Sequence, residues 1–120
     1  MITLDFAKAF ADEWIESWNS HDLDRILSHY TDDFSITTPM AAKLYPQSNG
    51  IVVGKEEVRK YWTIGLERIP NLKFELIELL VGIDGITIYY LNTATNKRAA
   101  EVMTFNENLE VYKINVYYSE

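Results

Sequence analysis

The apolar residues of this chain change their period once. Apart from one short strand, they recur every three to four residues before Pro70, and from Leu72 they alternate. Phe6, Phe10, Trp14 and Trp18 stand four apart with Ala7 and Ala11 beside them, which is one wide apolar face of a helix. Thr3 is placed to cap that helix, and Asp5 in its first turn suits the positive end of the helix dipole. Asn19-Ser20-His21 breaks the pattern, and Asp22 caps a second helix in which Leu23, Ile26, Leu27 and Tyr30 keep helical spacing. Thr31-Asp32-Asp33 reads as a turn, and Phe34 to Thr38 as a short strand that Pro39 stops. Residues 40–54 read as a loop punctuated by Pro46, Asn49, Gly50 and Gly54. Lys55-Glu56-Glu57 opens a third helix with Val58, Tyr61, Trp62, Gly65, Leu66 and Ile69 on its apolar face, ended by Pro70. Gly65 lowers helix propensity and is expected where another element packs closely.

Beyond Leu72 the chain reads as four strands, over 72–82, 86–95, 98–105 and 109–118. Ile83-Asp84-Gly85 and Asn106-Glu107-Asn108 are hairpin turns, and Asn96-Lys97 is a weaker turn signal. Helices first and a meander later predict an α+β domain, with helices on one face of a mostly antiparallel sheet.

Bulk properties exclude several function classes. The 120 residues make one ordinary domain, and 48% hydrophobic residues suffice for a core. No apolar run is long enough for a membrane span. The first ten residues lack the pattern of a signal peptide, so a cytoplasmic protein is expected. With no cysteine there is neither a disulfide nor thiolate chemistry. The two histidines, His21 and His29, offer a weak metal pattern, so no metal and no cofactor is expected. The net charge is -7 with Lys and Arg scattered, so no nucleic-acid partner is expected.

Several segments resemble one family. The pair Asp22-Leu23, the run Tyr30-Thr31-Asp32-Asp33-Phe34 and the strand ending at Pro39 look like the SnoaL-like and ketosteroid isomerase-like pattern. So do Gly54-Lys55-Glu56-Glu57-Val58-Arg59-Lys60-Tyr61-Trp62 and the hairpin Phe105-Asn106-Glu107-Asn108-Leu109. The resemblance covers nearly the whole chain as a single domain, 1–120. It implies the cone-shaped nuclear transport factor 2-like (cystatin-like) fold: three helices packed on a curved, mostly antiparallel sheet that encloses a pocket.

The resemblance also locates three positions of isomerase chemistry, in which a base aspartate works with an oxyanion hole made by a tyrosine and a protonated aspartic acid. The base precedes the proline that ends the first strand, and here that residue is Thr38. The tyrosine lies eight residues before the acidic-Leu pair, where this chain has Trp14. The acid lies four residues before the Phe-Asn of the last hairpin, at Glu101. A threonine hydroxyl is too weak a base to take a carbon-bound proton, and an indole donates a hydrogen bond without exchanging its proton as a phenol does. Steroid isomerisation by this mechanism is therefore not expected, and Glu101 is the one candidate catalytic group.

Alternation puts Ala99, Glu101, Met103 and Phe105 on one face of their strand. On the concave face the Glu101 carboxyl would sit among apolar groups with its pKa raised; on the other it would be solvated. Trp14, Trp18, Tyr30 and Trp62 are candidate ligand-binding aromatics or plain core, with Trp14 and Trp62 preferred as pocket walls. Thr38 and Met40 would lie at the pocket mouth, and residues 39–54 form either a flap or a surface connection. On the last strand Ile114, Val116 and Tyr118, with Tyr112, oppose Val111, Lys113, Asn115 and Tyr117. By resemblance, Ile114 and Tyr118 face the pocket together with Met103, and the opposite sheet face forms a homodimer. His29 lies off the apolar face of its helix and is expected in solvent, and His21 at the surface or in a capping role. Two functions remain: a pocket protein with acid–base catalysis (isomerase, cyclase or hydratase-like) on a small hydrophobic molecule, or a non-catalytic homodimeric module that binds a ligand or a protein.

Overall fold

A computed structural model describes residues 1–119. The elements are helices α1 (Leu4–Asn19), α2 (Leu23–Leu27), α3 (Pro39–Leu44) and α4 (Lys55–Arg68), and strands β1 (Tyr30–Thr37), β2 (Ile51–Val53), β3 (Phe74–Val81), β4 (Gly85–Asn92), β5 (Lys97–Phe105) and β6 (Val111–Tyr118), with a 3-10 turn at Pro46–Ser48. The strands form one sheet in the order β2-β1-β6-β5-β4-β3. All neighbours are antiparallel except β1 and β6, which run parallel with Ile36 opposite Ile114.

Both predicted N-caps form, at Thr3 and Asp22. The Thr3 hydroxyl accepts from the Phe6 N–H at 3.1 Å, and Asp22 Oδ1 accepts from the Arg25 N–H at 3.2 Å. At the break between α1 and α2, His21 adopts a left-handed φ of 58°. The break also clamps the sheet: the Asn19 amide exchanges two hydrogen bonds with the Phe74 backbone, at 2.7 and 3.0 Å. His21 Nε2 donates to the Leu72 carbonyl at 2.8 Å, so that nitrogen carries the proton. Gly54 precedes α4 at φ 91°, a conformation that a side chain would strain.

Four sequence expectations need correction. Tyr30 does not belong to the second helix, which ends at Leu27; it heads β1. Thr31-Asp32-Asp33 is not a turn but an irregular stretch of β1, where the register to β6 shifts between Tyr30 and Ser35. The supposed loop 40–54 contains α3 and β2. Pro39 does end the strand, but as the first residue of a helix capped by Thr38, where its missing N–H is harmless. On β6 Ile114, Val116 and Tyr118 face inward as expected, but Val111 joins them and Tyr112 does not, because two consecutive residues, Tyr112 and Lys113, face outward at a register irregularity opposite Thr104 and Phe105.

The core lies between the concave sheet face and α1, α2 and α4, and aromatic rings dominate it. Trp14 is completely buried, stacked on Phe74 at 5.7 Å and tilted against Trp18 and Tyr90. Tyr30 stacks on Phe34 at 4.5 Å. Trp14 Nε1 donates to the Tyr30 hydroxyl at 2.8 Å, so the largest core side chain keeps its polar atom satisfied. Among the described residues, no helix is long and apolar enough to cross a membrane.

Candidate functional site

The wide end of the curved sheet does not close on the helices. A cavity of about 190 Å3 remains between α3, α4, β4, β5 and β6. That is little more than the roughly 150 Å3 that takes up benzene, and below the roughly 300 Å3 at which drug-sized sites begin. Its walls are apolar: Trp18 from α1, Met40 and Leu44 from α3, Tyr61, Trp62 and Ile69 from α4, Phe74 from β3 and Val116 from β6. Trp18 and Trp62 meet edge to face at 4.9 Å and form one corner. Gly65 also lines the cavity, and a Cβ built there meets no atom within 4 Å. The close packing expected at Gly65 is thus absent: the missing side chain leaves room for the cavity.

Glu101 lies on this wall. On β5 it is paired with Ile88 of β4 and Val116 of β6, both buried and apolar. The inward phase of the strand therefore carries a carboxyl into a dry environment. Desolvation pushes its pKa up to about 7, and the Tyr90 hydroxyl, donating to Oε2 at 2.7 Å, opposes the rise. Oε1 takes no hydrogen bond from the described residues. Near neutrality the group is thus divided between a carboxylic acid that donates and a carboxylate that accepts.

Three phenols surround it. Burial raises the pKa of Tyr61, Tyr90 and Tyr118, the last to about 12, and the Glu101 charge adds to each effect. All three stay protonated and act as hydrogen-bond donors. The Thr38 hydroxyl lies close enough to Tyr61 and Tyr118 to favour their ionised forms, the weaker influence. The other titratable lining group is Lys97, at the open rim with Asn92 and Thr95. Among the described residues, no His, Cys or Ser lines the cavity. Among the described residues, no three His, Cys, Asp or Glu side chains cluster as a metal site.

Of the residues singled out in the sequence, Glu101, Trp18, Trp62, Met40 and Tyr118 meet at the cavity. The others stand one layer behind it. Trp14 and Tyr30 are sealed in the core by their mutual hydrogen bond and by Phe74 and Phe34, so neither reaches the ligand space. Met103 and Ile114 pair with each other across β5 and β6, beyond the cavity's closed end. Thr38 is buried, caps α3 by accepting from the Met40 N–H at 3.3 Å, and touches the site only through the tyrosines. Tyr61 and Tyr90 were not singled out as site residues. Both were legible as inward-facing, and Tyr90 stands two residues beyond Ile88, the cross-strand partner of Glu101.

His29 is not in solvent. Its ring rests on Phe10 at 5.3 Å, and Nε2 stands 3.4 Å from Glu13. Glu13 is gripped by the Arg25 fork at 2.6 and 2.8 Å, which holds its carboxyl below the usual range. This cluster fastens α1 to α2, and none of its members lines the cavity.

With this fold and site, the chain matches the sequence model of the SnoaL-like domain over residues 11–115, and it belongs to that family. The architecture is the cystatin-like, nuclear transport factor 2-like fold. A SnoaL-like protein of unknown function from Burkholderia thailandensis shares 42% identity with a TM-score of 0.93, covering 99% of this chain and 98% of that one. AclR, a hydroxylase assignment from Streptomyces galilaeus that is itself provisional, superposes with a TM-score of 0.74 at 17% identity, over 98% of this chain and 81% of that one. A protein from Kribbella flavida described as a ketosteroid isomerase candidate superposes with a TM-score of 0.69 at 13% identity, over 95% and 78%. The last two likenesses concern the fold alone. No curated protein matches the sequence.

Proposed function

We propose that this protein binds a small, largely apolar molecule in the Glu101 cavity and that Glu101 acts on it as an acid–base group. The observation that carries this reading is a carboxyl with a pKa pushed up to about 7, held by Tyr90 through one oxygen at the wall of an apolar cavity. A general acid or base works best with a pKa near the working pH. Glu101 would donate its proton to a carbonyl or enol oxygen of the ligand, or take one from an acidic carbon, with the phenols as fixed donors around it. The cavity volume suits one ring or a compact pair, and a four-ring steroid exceeds it. Trp14 and Thr38 also lie outside the cavity lining, which supports a reaction other than steroid isomerisation.

The test is a thermal-shift screen of one- and two-ring enones and phenols near neutral pH, with each hit then titrated into Glu101→Gln. Glutamine keeps the shape but neither gains nor loses a proton. Affinity or turnover is expected to fall at least about tenfold for the true ligand class. Hits that bind and react equally well with the variant would refute an acid–base role.

A second reading is a non-catalytic homodimeric module. It is supported by the outer sheet face, where Tyr117 is 64% exposed and Leu80 56%. Large exposed apolar groups on one face suit a self-complementary contact. Sedimentation velocity is expected to give twice the 13.9 kDa chain mass. A single species at the chain mass would remove the dimer.

A further inference from the structure

Building on the acid–base reading of Glu101, we propose that the pocket selects organic anions: a one-ring or compact two-ring carboxylic acid whose carboxylate is held by Lys97 at the rim while an oxygen at its far end meets Glu101. Lys97, Ala99 and Glu101 share one face of β5, and all three line the cavity. Four residues of strand separate the backbones of Lys97 and Glu101 by about 13 Å. Both side chains rise from the same face of the strand, and the cavity volume between them admits a ring with a short arm.

The rim is built of donors. Among the described residues, no carboxylate lies within ion-pair distance of Lys97. Asn92 pairs with Lys97 across the β4–β5 ladder. Its side-chain oxygen accepts from the Ala94 N–H at 3.1 Å, and its NH2 group is a donor. Among the described residues, Glu101 is the only carboxylate lining the cavity, and it stands at the other end of the Lys97–Ala99–Glu101 row.

The surrounding charge agrees. The chain carries -7 overall, yet residues 85–100 contain no Asp or Glu. Arg98 turns to the opposite sheet face, where it donates to the Tyr89 hydroxyl at 3.0 Å, so Lys97 is the cation of this strand that lines the cavity. An acidic surface would repel an organic acid, and of that stretch Asn92, Thr95 and Lys97 line the cavity, so its rim carries a cation and, among the described residues, no carboxylate. A neutral apolar ligand would need no such rim. Lys97 would bind and orient the ligand end-on, while the chemistry stays with Glu101.

The probes are para-hydroxyphenylpropanoate and its methyl ester, titrated by calorimetry into the wild-type protein, Lys97→Met and Glu101→Gln at about 0.05 and about 0.5 M salt. The acid is expected to bind wild type about fivefold to tenfold more tightly than the ester, the factor a half-solvated ion pair supplies. Lys97→Met and high salt should each erase that preference. Equal binding of acid and ester, or an acid affinity indifferent to Lys97→Met, would overturn anion selection. If the ester still weakens in Glu101→Gln, the acid–base reading survives that result; if neither probe binds wild type, both readings fall together.

Discussion

Glu101→Gln is expected to gain about 3 kcal/mol of stability relative to wild type between about pH 4 and about pH 8.5, measured as the difference in urea-unfolding free energy. The wild-type carboxyl titrates near 4.5 in the unfolded chain and about 7 in the folded one. Within that window the folded protein keeps a proton that the unfolded chain has released. Wild-type stability therefore falls as pH rises from the lower value and levels off above the upper one. Glutamine has no proton to release, so the contribution disappears. His29 acts in the opposite sense: burial lowers its pKa from the ordinary 6.5, so its share of stability is lost as pH falls below that value. Because both proteins contain His29, its contribution cancels in the difference. A mutant-minus-wild-type curve that stays flat across the range would show that Glu101 is solvated.

Trp14→Ala is expected to cost about 4 kcal/mol in the same experiment, near the middle of the range for removing a buried tryptophan. The ring has no exposed surface, and it touches Phe74, Trp18 and Tyr90 together. Those neighbours belong to α1, β3 and β4, so the hole cannot be closed by moving one side chain. The loss also strips the Tyr30 hydroxyl of its indole donor in a fully buried place. Trp14→Phe should cost less, about 2 kcal/mol, because it keeps a stacked ring and forfeits the N–H. A cost below about 2 kcal/mol for Trp14→Ala would mean that the ring borders open space after all.

The two variants mark where sequence reasoning stopped. The helical period names Trp14 and Trp18 as inward together. They stand one turn apart on α1, and only Trp18 reaches the cavity, because Phe74 and Tyr30 cover the other ring. Alternation likewise places Met103 on the Glu101 face, but not that Ile114 sits across from it. An inward direction is a local property, whereas an unfilled space depends on every wall. The long elements α1, α4 and the meander declared themselves through sustained periods. Helix α3 and strand β2 are too short to show one, and β2 exists through its pairing with β1. The Tyr112–Lys113 irregularity gave no sign in a strand whose two faces both carry large groups.

Strand β6 has a consequence for how the molecule is made. It lies inside the sheet, between β5 and β1, and its partner Ile36 belongs to the first third of the chain. On a ribosome, β1 must wait until β2, α4, β3, β4 and β5 have all been made before its parallel neighbour exists. Closing so long a loop is slow, and until then β1 has only the three residues of β2 beside it. Tyr118, which helps enclose the cavity, belongs to β6 and follows every other strand of the sheet. Nascent chains should therefore lack a binding site until β6 has emerged, and a protein shortened before β6 would be left with two unpaired internal edges, a condition that favours aggregation.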